Sequence, residues 1–313
     1  MNRSTIGRAL LGVLILLTVI LAWRAGSRFP WDDLTRSFTE ADTLLLLATA
    51  AVALFALAVK GWAWHLLLRP VAPHRMRVAM EANLIGSAVN YISVAVIGEA
   101  ARVRFLVARE PVTTAQGVAS VVWARAVEGL GLAVFILAGG LLLPLPPLVR
   151  GAQLVALGIV AGTIVVFMAR GRASLPSWVP APVRTMLGTF ANIGSWRRVV
   201  LPFFLALVNW GAQWATYHLA LVATGIPASP AASFTATLAS NIGGALRLTP
   251  GNVGITQATV AMALLPFGIQ PAPAIAASVV LQALQVLPTL ALALGIVGWR
   301  GLGQMKTRAA EAD

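Results

Sequence analysis

Apolar runs that reach or approach the length of a membrane crossing alternate along this chain with short polar segments rich in arginine. The runs cover residues 9–23, 43–68, 118–142, 153–169, 199–223 and 271–297, and a helix needs roughly 20 apolar residues to cross a bilayer. Two further apolar regions, residues 81–106 and 232–267, are interrupted by glycine, proline and polar side chains. The pattern predicts an all-α polytopic membrane protein, a single integral membrane domain over residues 1–313, with six full spans and two re-entrant or broken helical hairpins.

Basic residues between the runs predict the orientation, because cytoplasmic loops carry the excess of arginine and lysine. Residues 1–8 are basic, and the first run ends at Trp23 and Arg24 without a small-x-small cleavage site, so it reads as an uncleaved anchor. The segment 24–42 holds Asp32, Asp33, Glu40 and Asp42 and favours the outside. Arg69, Arg75 and Arg77 follow the second run, with Lys60 snorkelling near its end. Arg102, Arg104 and Arg109 close the region 81–106, so both of its ends read as cytoplasmic. The segment 170–198 carries Arg170, Arg172, Arg184, Arg197 and Arg198 and no acid. If region 81–106 returns to its own side, that basic loop and both termini lie in the cytoplasm; if it is an ordinary kinked span, the charge rule fails at one loop.

The interrupted regions carry the candidate chemistry. Glycine and proline weaken a helix and free backbone groups that need polar partners inside a membrane. The first region holds Asn83, Asn90, Gly98, Glu99 and Arg102, and the second holds Asn241, Arg247, Thr249, Pro250, Gly251, Asn252, Gly254 and Gln257. Interruptions at corresponding places in two halves, here 1–150 and 151–313, predict inverted-topology repeats with a substrate site between them. Between the two regions, Arg125 and Glu128 lie three residues apart on one helical face, where they can pair. Charges at this depth are costly unless paired or facing water. Glu99 has Arg102 and Arg247 as candidate partners, and arginines suit a lipid phosphate. Gly98, Pro250, Gly251 and Gly254 are candidate hinges, and helix starts near Gly98 and after Pro250 would offer backbone N–H groups to an anion. A structural reading stands beside each of these: Arg125 with Glu128 as a buried pair fixing helix register, and Asn83, Asn90 and Asn241 as caps for broken backbone. Gln257, Gln282 and Gln285 form a weaker polar set, and Gln213 with Trp210 and Trp214 reads as interface packing.

Composition narrows the classes. Hydrophobic residues make up 58% and charged residues 11%, with a mean hydropathy of +0.84, against roughly 25% charged in a soluble domain. The formal charge of +13 belongs to segments that meet anionic lipid heads rather than to a nucleic-acid surface. The absence of cysteine removes thiol catalysis and thiolate metal sites, and His65, His74 and His218 have no metal-ligand spacing. No cofactor is expected.

The polar motifs also resemble the transmembrane, lipid-flipping domain of lysylphosphatidylglycerol synthases, a family with stand-alone members in the membranes of bacteria and archaea. A first family motif, N followed by P-x-x-x-G-E-x-x-R, meets Asn83 and Asn90, then Val94, Gly98, Glu99 and Arg102. A second, E-R-x-x-D, meets Ala124, Arg125 and Glu128, and a third, P-x-P-G-G-x-G-x-x-E, meets Leu248, Pro250, Gly251, Asn252, Gly254 and Gln257. The resemblance spans Trp62 to Leu292. It departs at Val94 for proline, at Ala124 for glutamate and at neutral Gln257 for the final glutamate. If those acids serve a cationic headgroup or a proton in relatives, this chain handles something different. The resemblance implies a bacterial cytoplasmic (inner) membrane protein without the soluble synthase domain.

Three classes of function follow. The leading one is flipping or scrambling of a phosphate-bearing lipid, whose anionic headgroup is the expected partner. The second is a non-catalytic membrane partner of a lipid-synthesis or envelope-synthesis enzyme. The third, a lipid-modifying transferase, would need a convergent acid–base or metal constellation that the sequence does not supply.

Overall fold

A computed structural model describes residues 30–93, 97–169, 197–245 and 249–310. The first apolar run, nearly all of the basic loop 170–198, Val94 and Arg247 lie outside the described residues. Among those described, ten α-helices form: α1 (Trp31–Thr39), α2 (Thr43–Leu68), α3 (Met76–Ile92), α4 (Ile97–Val107), α5 (Thr114–Leu142), α6 (Arg150–Ala169), α7 (Arg197–Ala223), α8 (Pro230–Gly244), α9 (Ile255–Leu264) and α10 (Pro271–Ala310).

Among the described residues four helices are long and apolar enough to cross a membrane, within Thr43–Leu68, Thr114–Leu142, Arg198–Ala223 and Pro271–Arg300. Their starts follow from local chemistry. The Asp42 carboxylate accepts from the N–H groups of Leu44 at 2.9 Å and Leu45 at 3.1 Å, and Thr113 with Gln116 forms a capping box at α5. These caps satisfy donors that the first helical turn leaves free. The segment read as an outer loop contains α1, a short helix with Asp32 and Asp33 in its first turn, where acidic side chains complement the helix dipole.

Both interrupted regions fold back on themselves. In the first, Gly86 lies against Arg102 and Gly98 against Asn90, so α3 and α4 run antiparallel. A Cβ on Gly86 would stand 2.8 Å from both the Arg102 Cβ and the Gly98 carbonyl oxygen, which is why glycine is needed for so close an approach. In the second, Gly243 lies against Ile255 and Thr259, and Asn252 reaches back to the Gly244 carbonyl at 3.2 Å. A 3-10 turn, Pro250–Asn252, precedes α9, with Gly251 at φ 60° and Asn252 at φ 58°. The two hairpins meet there, because the open side of Gly251 faces the Tyr91 carbonyl near the end of α3.

Helices α2 and α7 pack against each other through the middle of the molecule. Around them lie separate cores. Trp64, Leu68, Val78, Leu106 and Val121 join α2 to α5, while Leu221, Val260, Leu264 and Leu281 join α7, α9 and α10. Leu44, Leu47, Phe55, Leu141, Leu154 and Leu294 are exposed, the distribution expected of helices whose outer faces meet lipid.

Candidate functional site

The polar residues of the first hairpin share one face because of helical spacing. Asn83, Ser87 and Asn90 recur at intervals of four and three along α3, and residues so spaced stand above one another on a helix. Asn209 and Gln213 do the same on α7. These faces, with α2, α4, α5 and α8, enclose a cavity of about 260 Å³ lined by Lys60, Asn83, Gly86, Ser87, Asn90, Tyr91, Glu99, Arg102, Arg125, Glu128, Asn209, Trp210, Gln213 and Asn241.

Five charges run around its wall with alternating sign. Arg102 Nη1 lies 3.5 Å from Glu99 Oε2, Arg125 bridges Glu99 and Glu128, the latter at 3.1 Å, and Lys60 Nζ donates to Glu128 Oε2 at 3.2 Å. Each carboxylate thus sits between two cations, which offsets part of the cost of taking the charges out of water. Trp210 Nε1 donates to the Glu128 backbone carbonyl at 3.0 Å and holds α7 to α5 beside the pair.

Arg102 differs from its neighbours. It is 3% exposed, and its guanidinium lies over the Trp64 ring, 3.6 Å from the centroid, a cation–π contact that keeps the plane fixed. Its Nε and Nη2 have no hydrogen-bond partner among the described residues. Trp64 in turn donates to Ser120 Oγ at 3.0 Å, so α2, α4 and α5 all contribute to holding this one side chain.

Of the residues singled out in the sequence, Asn83, Asn90, Glu99, Arg102, Arg125, Glu128 and Asn241 come together on the cavity wall. The asparagines also tie down backbone. Asn83 Nδ2 donates to the Leu57 carbonyl at 3.1 Å, Asn241 Nδ2 to Thr237 at 2.9 Å, and Asn90 Oδ1 accepts the Gly98 N–H at 3.1 Å. That last bond occupies the amide expected to be offered to an anion. Thr249 and Asn252 lie in the second hairpin's turn and Gln257 in the first turn of α9, all three off the cavity wall. Thr249 Oγ1 donates to Val253 O at 2.8 Å, and Gln257 Oε1 accepts the Gly254 N–H at 2.7 Å while its Nε2 donates to Gln282 Oε1, also at 2.7 Å. Gln282 continues the chain to the Gly251 carbonyl. Pro250, Gly251 and Gly254 shape the same turn, and Arg247 lies outside the described residues.

Sequence reasoning missed Lys60, Ser87, Tyr91 and Asn209. Lys60 does not snorkel from the end of α2; it lies eight positions before Leu68 and points into the cavity. An ionisable side chain that far inside an apolar run is itself the signal of a polar interior. Trp210 and Gln213, read as packing, line the cavity as well.

A family model, the lysylphosphatidylglycerol synthase TM region, matches residues 9–293. The chain belongs to this family. The matched region is the lipid-flipping part of such synthases, distinct from the part that makes the aminoacylated lipid, and the chain is accordingly an integral membrane transporter of lipid. Comparison with curated proteins gives no match.

Proposed function

We propose that this family member carries the phosphate-bearing headgroup of a membrane lipid through the central cavity while the acyl chains stay in the bilayer. One observation carries the reading: Arg102, buried on the cavity wall and stacked on Trp64, has Nε and Nη2 unpartnered among the described residues. Both donors are closed off from the cavity while the guanidinium lies on Trp64, and a small shift of the side chain off that ring would present this edge to a phosphate's paired oxygens. Among the described residues around the cavity Lys60, Arg102 and Arg125 outweigh Glu99 and Glu128 by one positive charge, which suits a singly charged phosphodiester. Asn83, Asn90, Asn209, Gln213 and Asn241 add neutral donors and acceptors for a headgroup's hydroxyls. The volume of about 260 Å³ falls below the roughly 300–1,000 Å³ of sites that enclose a whole drug-sized ligand, which favours a headgroup without its chains.

In this reading the two hairpins are re-entrant, six spans flank them, and residues 1–150 and 151–313 are inverted repeats whose tips meet at Tyr91 and Gly251. Both termini and the basic loop 170–198 face the cytoplasm of a bacterial inner membrane, following the charge rule. Movement runs downhill or is coupled to protons. A lipid-synthesis enzyme supplies the substrate.

Mass spectrometry of lipids retained by the gently purified protein tests the proposal. One phosphate-bearing species enriched above its membrane abundance in the wild type, and lost in both Arg102→Gln and Glu99→Gln, is the expected result. Bulk lipid in all three samples would instead favour a non-catalytic partner of a synthesis enzyme.

A further inference from the structure

Three hollows lie in line along the seam between α2 and α7. The first is the central cavity. The second is a constriction of about 10 Å³ that shares Lys60, Glu128 and Asn209 with it and continues past Trp64 and Leu67 to Pro202. The third is an open groove of about 510 Å³, which shares Pro202 and whose other described lining residues are Leu66, Arg69, Pro70, Arg198 and Leu201.

The groove has the chemistry of an amphiphile's site. Its sides are leucine and proline, and its rim carries Arg69 from the end of α2 and Arg198 from the start of α7, both exposed. Neither arginine has a carboxylate partner within salt-bridge distance among the described residues. The amino-terminal end of α7 adds its partial positive charge at the same place. Arginines at the ends of apolar helices lie where lipid headgroups lie. The adjoining chain segment, residues 170–196, is a poor occupant, since it carries Arg170, Arg172 and Arg184 and no acid and would bring cations to a cationic rim.

We propose that this groove is the loading site of the transporter: an anionic phospholipid of the surrounding leaflet docks there, its phosphate between Arg69 and Arg198 and its chains against Leu66 and Leu201, and then moves along the α2–α7 seam to the central cavity. The proposal rests on the translocation reading above. From Arg69 to Lys60 is nine residues of α2, about 14 Å at the helical rise. At about 10 Å³ the constriction holds at most one water, so the seam must part for a headgroup to pass. Pro202 weakens α7 at the required point, because it cannot donate a hydrogen bond to the Arg198 carbonyl one turn earlier.

The test uses the full chain in vesicles of phosphatidylcholine containing a minor fraction of phosphatidylglycerol, with a photocrosslinking residue in place of Leu201. Phosphatidylglycerol should be captured in excess of its mole fraction, and the excess should disappear when Arg69→Gln and Arg198→Gln are combined. In transport assays the same double variant, without the crosslinker, should need about tenfold more phosphatidylglycerol for half-maximal rate while reaching the same maximum, since each interfacial arginine contributes modestly to holding an anionic lipid. Capture in proportion to mole fraction, or selective capture with unchanged half-saturation, overturns the loading site. Failure of the translocation reading has a separate signature: no lipid movement by the wild type at any composition, with capture at position 201 still measurable.

Discussion

Lys60 on α2 and Glu128 on α5 are hydrogen-bonded across the cavity at 3.2 Å, 68 residues apart in sequence. The pair is unequal in its other partners. Glu128 also accepts from Arg125 at 3.1 Å, whereas Lys60 has Glu128 as its one salt-bridge partner among the described residues. Breaking a buried pair from one side leaves an uncompensated charge, so the outcome depends on which side is removed. Glu128→Gln should destabilise the protein by about 2–4 kcal/mol and Lys60→Met by about 1–2 kcal/mol. Unfolding in detergent followed by tryptophan fluorescence gives both values. Combining the two changes should cost less than their sum, because neither buried charge is then left alone.

The contact between α3 and α4 makes a second prediction. A Cβ on Gly98 would collide with the Gly86 carbonyl oxygen and the Asn90 side chain, and Asn90 is the group that accepts the Gly98 N–H. Gly98→Ala should therefore push the hairpin open and cost about 2–3 kcal/mol, as overpacking does. Gly211, inside α7, has nothing within 4 Å of its would-be Cβ, and Gly211→Ala should be neutral or stabilising by up to about 1 kcal/mol. Equal losses at the two positions would refute this account of the hairpin.

Much of this arrangement was legible in the sequence, for physical reasons. Apolar runs are local properties, so α2, α5 and α7 lie within a few residues of the expected limits, and α10 starts at the expected Pro271 but runs on to Ala310. The two interrupted regions were visible because Gly98, Pro250 and Gly251 have no use in a straight lipid-facing helix. The partners of the charges were less visible, since pairing across helices depends on which faces pack together. Glu99 was matched to Arg102, yet its link to Arg125 crosses from α4 to α5. Lys60 was misread because a lysine near an interface and a lysine aimed at a cavity share the same apolar neighbours; only the depth along α2 separates them. The turn residues Asn252 and Gln257 carry the same polar signature as cavity residues, although their hydrogen bonds close the turn.

At the other end of the first hairpin, Glu81 is buried and accepts from Arg77 at 2.9 Å and from Arg300, 219 residues away on α10. Arg300 has Nε buried without a hydrogen-bond partner among the described residues and lies over Phe105 of α4 at 5.8 Å. The Glu81–Arg300 pair thus fastens the last long helix to α3, and the Arg300 guanidinium carries the contact on to α4. Glu81→Gln should cost about 2–3 kcal/mol, as loss of one member of a buried ionic cluster does. Arg77→Gln should cost about 0–1 kcal/mol, because that arginine is largely exposed. Limited proteolysis within residues 108–113 provides a second readout: if Glu81 clamps α10 to the hairpin, cleavage there accelerates in Glu81→Gln and stays slow in Arg77→Gln.

Gln257 stands where the family motif has glutamate, and its surroundings predict what restoring the acid would do. Its amide is used at both ends: Oε1 accepts the Gly254 N–H at 2.7 Å, and Nε2 donates to Gln282 Oε1 at 2.7 Å. An ionised glutamate keeps the first bond and cannot make the second, so the Gln282 oxygen faces a carboxylate unless that amide turns over. Turning it removes the donor from the Gly251 carbonyl, the residue at the meeting point of the two hairpins. Gln257→Glu should accordingly lower stability by about 1–3 kcal/mol, the cost of leaving a buried polar group unsatisfied. Lipid selectivity should be unchanged, since position 257 does not line the cavity. The informative comparison is with Gln257→Leu, which loses both bonds without adding a charge and should be at least as unstable. A Gln257→Glu protein that folds as well as the wild type but retains a cationic in place of an anionic lipid would transfer Gln257 from the turn to the substrate site.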